Sequence, residues 1–170
     1  MKCQNCKKEL PDDSKFCEHC GEKINKEEPK KIDSSKSFDE IKNHLEFIGY
    51  ESDDNIIDDK GIVRFAARHK HRPNLFISDL SNFNVILLVS MFSITPIKKE
   101  SDQNEFLQLI NKINNDTIIT TFCVGNNFDN FTCATWYPNT YSKKTFSDLL
   151  ELFEAEINSK INTEELQKFA

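Results

Sequence analysis

Apolar residues from position 37 onward change spacing several times, and each change marks an element. Phe38, Ile41, Leu45 and Ile48 recur at helical spacing. Ser37 and Glu40 supply a capping box ahead of them, and Gly49 supplies a stop. Strand-like runs are predicted next at about 61–69, 74–80 and 84–94. In the first, Val63, Phe65 and Ala67 alternate with Arg64, Arg68 and Lys70. The third run is apolar on both sides: Val85, Leu87, Val89 and Met91 face one way, and Ile86, Leu88, Phe92 and Ile94 the other. A second helix is predicted over about 102–114, striped by Phe106, Leu109, Ile110 and Ile113. Strands near 117–124 and 130–137 flank the turn at Gly125. A last helix, capped by Thr145, carries Phe146, Leu149, Leu150, Phe153, Ile157 and Ile161.

This order predicts an α+β domain with three helices on one face of a mainly antiparallel five-stranded sheet. The other face is then uncovered, although the central strand is apolar there too. Dimerisation or a partner would supply the missing cover.

Residues 1–24 follow a different logic. Cys3-x-x-Cys6 and Cys17-x-x-Cys20 are separated by ten residues. Two such pairs can form facing knuckles that present four thiolates to one tetrahedral zinc ion. Gly21 follows the second pair where a knuckle favours positive φ; Lys7 holds the matching place after the first. The halves repeat loosely, with Leu10 and Ile24 equivalent and Phe16 an additional apolar group. So few apolar residues cannot hold a 24-residue fold, and metal binding makes up the deficit. Four cysteines leave no open position, so the zinc is expected to be structural, and His19 is not needed as a ligand.

The opening segment resembles the zinc-ribbon modules found at the N-termini of many bacterial and archaeal proteins, through the double knuckle and Phe16-Cys17-x-x-Cys20-Gly21. Residues 37–160 resemble the YbjN family of bacterial sensory-transduction regulators. Element order and the second-helix run Leu109-Ile110-Asn111-Lys112-Ile113-Asn114 carry that likeness. It implies a type III secretion chaperone-like fold, a non-catalytic adaptor or chaperone-like role, and frequent dimerisation. Residues 25–36, charged and broken by Pro29, read as a flexible linker, and 161–170 as a tail.

The remaining chemistry is sparse. The chain has four glycines and no phosphate-binding glycine loop. Cys123 and Cys133 sit on neighbouring predicted strands, close enough to bridge, but they read as reduced strand residues. Asp53, Asp54, Asn55, Asp58 and Asp59 imitate a calcium loop without its glycine and closing glutamate. His44 reads as a surface or boundary residue. Asp148, Glu151, Glu154 and Glu156 read as the wet face of the last helix.

Net charge is −6 across 170 residues, which disfavours general nucleic-acid binding. The basic run Arg64, Arg68, Lys70 and Arg72 is the positive exception. With Lys2, Lys7, Lys8 and Lys15 of the ribbon it supports nucleic-acid binding as the alternative reading. The principal reading is a cytoplasmic, non-enzymatic protein-interaction module with one structural zinc. Its candidate contacts are Arg64, Arg68, Lys70, Arg72, Ile86, Leu88 and Phe92. No apolar run approaches the roughly 20 residues of a membrane helix.

Overall fold

The computed structural model describes residues 3, 5–11, 14, 16–21 and 35–169. The chain divides into two compact units, Met1–Lys31 and Ile32–Ala170. The proposed linker, apart from its last two residues, lies outside the described residues, as do Lys2, Lys15 and Ile24.

The larger unit is α+β. Its elements run α1 (Lys36–Phe47), β1 (Glu51–Ser52), β2 (Ile56–Ile57), β3 (Val63–Arg68), β4 (Leu75–Leu80), β5 (Val85–Ser93), α2 (Glu100–Asn115), β6 (Thr121–Val124), β7 (Asn130–Pro138), α3 (Lys143–Ile161) and α4 (Glu164–Gln167). The sheet has seven strands, not five, in the order β1-β3-β4-β5-β7-β6, with β2 also paired to β3. Every pairing is antiparallel. The two additional strands are two residues each, too short for any periodicity to announce them.

Two helix starts also differ from the sequence pattern. Ser35, not Ser37, caps α1 by accepting from the Phe38 N–H. Its own N–H donates to Asp79 at 2.8 Å, tying the helix start to β4. Ser37 Oγ instead accepts from the Tyr141 N–H. Ser142, not Thr145, caps α3. The predicted strand near 117 begins only at Thr121, because residues 118–120 are bent around a carboxylate.

One side of the sheet carries Phe65, Ile77, Ile86, Leu88, Cys133 and Tyr137, all buried. These residues share a single core with Phe38 and Ile41 of α1, Phe106 and Ile110 of α2, and Phe146 and Phe153 of α3. Edge-to-face rings lock the layers: Phe38 meets Phe65 at 5.0 Å and Tyr137 meets Phe146 at 5.3 Å. Buried polar groups on this side are partnered, as with Ser90 Oγ donating to the Asn74 carbonyl.

Glu156 departs from the expected wet face of α3. It is buried, and its carboxylate accepts from the N–H groups of Ile118, Ile119 and Thr120 and from Thr120 Oγ. Burial alone would raise its pKa, but these donors hold it below the ordinary value. Glu154 likewise binds Tyr50 Oη and Arg72. His44 is buried rather than a surface residue, with Nδ1 2.7 Å from Tyr141 Oη and Nε2 3.3 Å from Ser147 Oγ. Desolvation, with Lys143 and Arg72 nearby, lowers its pKa.

Replacing Glu156 by Leu would strand three backbone donors. The variant is expected to lose about 2–4 kcal/mol of unfolding free energy in urea titration. A loss below about 0.5 kcal/mol, the size of an ordinary surface substitution, would contradict the anchoring role.

Candidate functional site

Among the described residues, the cysteine cluster and the second side of the sheet are the first candidates for a site. In the ribbon unit, Cys3 Sγ lies 3.7 Å from Cys20 Sγ, and Cys6 Sγ lies 3.6 Å from Cys17 Sγ. All four sulfurs fall within 4.8 Å of one another. A disulfide needs about 2.05 Å. A tetrahedron with metal–sulfur bonds of about 2.3 Å places its sulfurs roughly 3.8 Å apart. The donor set and spacing therefore fit a single soft metal ion.

Local backbone geometry creates this arrangement. The Lys7 N–H donates to the Cys3 carbonyl at 2.9 Å, and the Gly21 N–H to the Cys17 carbonyl at 2.8 Å. These are matching turns, and both closing residues are left-handed, Lys7 at φ 63° and Gly21 at φ 70°. Backbone N–H groups, that of Cys6 foremost, lower the Cys3 thiol pKa to about 7. Leu10 is buried against Cys3 and Cys17, whereas Phe16 is 60% exposed and adds nothing to this small core. His19 stands outside the sulfur cluster, beside Glu18.

The sheet's second side follows from strand alternation. Register aligns Ala66, Phe76, Val89, Ala134 and Thr121 in one row, and Ile56, Arg64, Ser78, Leu87 and Trp136 in the next. Phe76 is 47% exposed, and Met91 and Trp136 are each 53% exposed. Val85, Leu87 and Val89 are half-buried between them. The result is a contiguous apolar surface on the central strands.

This corrects the choice of contact residues on β5. Ile86 and Leu88 are fully buried beneath the helices, and Phe92 stacks on Phe131 at 5.2 Å. The uncovered set is Val85, Leu87, Val89 and Met91. Both sets are equally apolar, so only the packing of the helices decides between them.

The basic run is also changed by its surroundings. Arg64 pairs with Asp58 at 2.7 Å, Arg68 grips both oxygens of Asp53, and Arg72 pairs with Glu154 at 2.9 Å. Asp53 and Asp58, which only imitate a calcium loop in sequence, are committed to arginines, and both carboxyls are held below their ordinary pKa. Arg68 leads for Asp53, and the Ile62 N–H for Asp58. Lys70 is exposed. The run is largely neutralised by its own carboxylates.

Cys123 and Cys133 are both free thiols, and the strand geometry does not let them bridge. Cys123 opposes Thr132 and is exposed, while Cys133 opposes Phe122 and is buried, so their side chains leave opposite faces. Burial pushes the Cys133 thiol pKa up. His69 Nδ1 accepts from the His71 N–H.

The outer edge of the sheet at β6 is closed. The Asn114 amide donates to the Phe122 carbonyl at 2.9 Å and accepts from the Phe122 N–H at 2.7 Å. An added strand would have to displace that clamp. Asn114 lies within the second-helix run, and its partner, eight residues further on, leaves no local signature in the sequence.

Residues 2–24 match the family model described as a zinc-ribbon domain. No curated protein matches the chain significantly. Among solved structures, YbjN from E. coli, a proposed transcription regulator, aligns with TM-score 0.55 and 13% identity over 78% of this chain and 93% of its own. An uncharacterized protein from Methanothermobacter thermautotrophicus aligns with TM-score 0.58 and 12% identity over 79% of this chain and 99% of its own. The chain thus joins a zinc-ribbon segment to a domain with the YbjN fold.

Lys7 holds a conformation that suits glycine, at a cost of about 1 kcal/mol. Replacing it by Gly is expected to tighten metal retention about fivefold in a chelator competition. Weaker retention would show that the Lys7 side chain, rather than its backbone, matters to the knuckle.

Proposed function

We propose that this chain is a non-catalytic protein-interaction module of adaptor or regulator type. It docks a protein segment on the uncovered sheet face and uses a zinc-stabilised ribbon as a second contact. The observation that carries this reading is the apolar surface formed by Phe76, Leu87, Val89, Met91 and Trp136. Covering such a surface releases water from apolar area and is the main source of association free energy. Strand addition at the β6 edge is disfavoured because Asn114 occupies it.

Zinc is the metal that a closed set of four thiolates suits best. With every coordination position taken by cysteine, the ion stabilises the ribbon and activates no water. Reduced thiolates fit a cytoplasmic setting, and no described helix is long and apolar enough to cross a membrane. Two modules on one chain can bind jointly through effective concentration. The proposed regulatory role of YbjN is compatible with this, although that likeness carries only the fold.

Nucleic-acid binding is the competing reading. Arginines 64, 68 and 72 already neutralised by carboxylates on a chain of net charge −6 weigh against it.

A photo-crosslinking residue placed at Leu87 or Met91 of the full chain tests the proposal in native lysate. A control goes at Leu107, an exposed apolar position on α2. Protein adducts are expected from the sheet positions and not from the control, with the Leu87 adducts lost on Val89→Glu. Adducts to nucleic acid, or equal labelling from the control, would overturn the proposal. Metal analysis of the same preparation is expected to give about one zinc per chain.

A further inference from the structure

The segment 163–169 lies against α2 as a strap held at few points. Leu166 is buried, and the Phe169 ring sits 4.9 Å from that of Phe106 on α2. The Thr95 N–H donates to the Phe169 carbonyl at 3.0 Å, and Lys112 pairs with Glu165 at 2.9 Å. Its helix, α4, has four residues, capped by Thr163. A helix of that length has no stability of its own. The Lys112–Glu165 pair is exposed and contributes little.

The surface on both sides of Phe169 is hollow. One hollow of about 310 Å³ is bounded by Pro96, Ile97 and Lys99. Another of about 380 Å³ is bounded by Leu109 and Lys112. The strap therefore fills the middle of a longer groove along α2. Lys98, Lys99 and Lys112 line the hollows, as do Asp102 and Glu105 and the strap's own Lys168. The strap carries a net negative charge, with Glu164 and Glu165 against one Lys168, and its apolar residues are Leu166 and Phe169.

We infer that this groove is a peptide-docking site whose resident pseudo-ligand is the strap. Its partner is an acidic protein segment carrying a leucine and an aromatic residue three positions apart. The partner competes with residues 163–169 for the same anchors, so the strap sets the threshold for binding. Loosely held surface elements open at low free energy while the core stays folded. The binding-competent fraction then scales the apparent affinity. This site does not involve the uncovered sheet face and stands or falls separately from it.

The test uses a dye-labelled peptide with the sequence of residues 162–170, followed by fluorescence anisotropy. It is titrated with the full chain and with the full-chain double variant Leu166→Ser, Phe169→Ser, whose strap is released. The variant is expected to bind the peptide about tenfold or more tightly than the parent. Adding Lys112→Glu to that variant should weaken binding severalfold, and a peptide with both serine substitutions should not bind. Equal binding to parent and variant, or no binding to a variant with the parent's circular dichroism spectrum, would overturn the inference. If the double variant does not fold, hydrogen exchange on the parent decides. The amides of Leu166 and Phe169 are expected to exchange about a hundredfold faster than those of Cys133 and Thr135. Equal protection would mean that the strap opens only with the whole unit, and would refute it.

Discussion

The larger unit depends on one constraint: a strand sends successive side chains to opposite faces, and β5 is apolar on both. Helices α1, α2 and α3 bury Ile86 and Leu88 together with their neighbours in β3, β4 and β7. That same packing leaves Leu87, Val89 and Met91 on the surface beside Phe76 and Trp136. The uncovered face is thus a consequence of how the core is built, since β5 cannot slip by one residue without exposing the other set. Polar residues on the covered side are tolerated where a partner is fixed, as for Asp79 accepting from the Ser35 N–H.

The ribbon obeys the opposite rule. Leu10 with Cys3 and Cys17 forms the whole of its described core, and folding free energy must come from the metal. Backbone turns at Lys7 and Gly21 bring the four sulfurs to one point. Held by four cysteines, an ion there would supply rigidity rather than reactivity.

Much of this was legible in the sequence, and the misses have physical causes. The cysteine spacing, the helical stripes and the five longer strands each repeat a local geometry, so pattern alone finds them. The strands β1 and β2 have two residues each and leave no period. Ser35 and Ser142 displaced the expected caps because Ser37 and Thr145 are themselves plausible caps one short step away. Glu156 and Glu154 read as solvated charges, but their partners lie 36 to 38 and 82 to 104 residues away in sequence. The choice between the two faces of β5 was hidden for a simpler reason: both are equally hydrophobic.

Trp136, the one tryptophan in the chain, sits on the uncovered face and reports on it directly. Acrylamide quenching of its fluorescence in the purified, monomeric full chain is the most direct measurement of the central claim. Ready quenching and a red-shifted emission are expected, with Leu87→Asp leaving both nearly unchanged. A blue-shifted, quench-resistant Trp136 in the monomer would contradict the account, because the face would then already be covered by the chain itself.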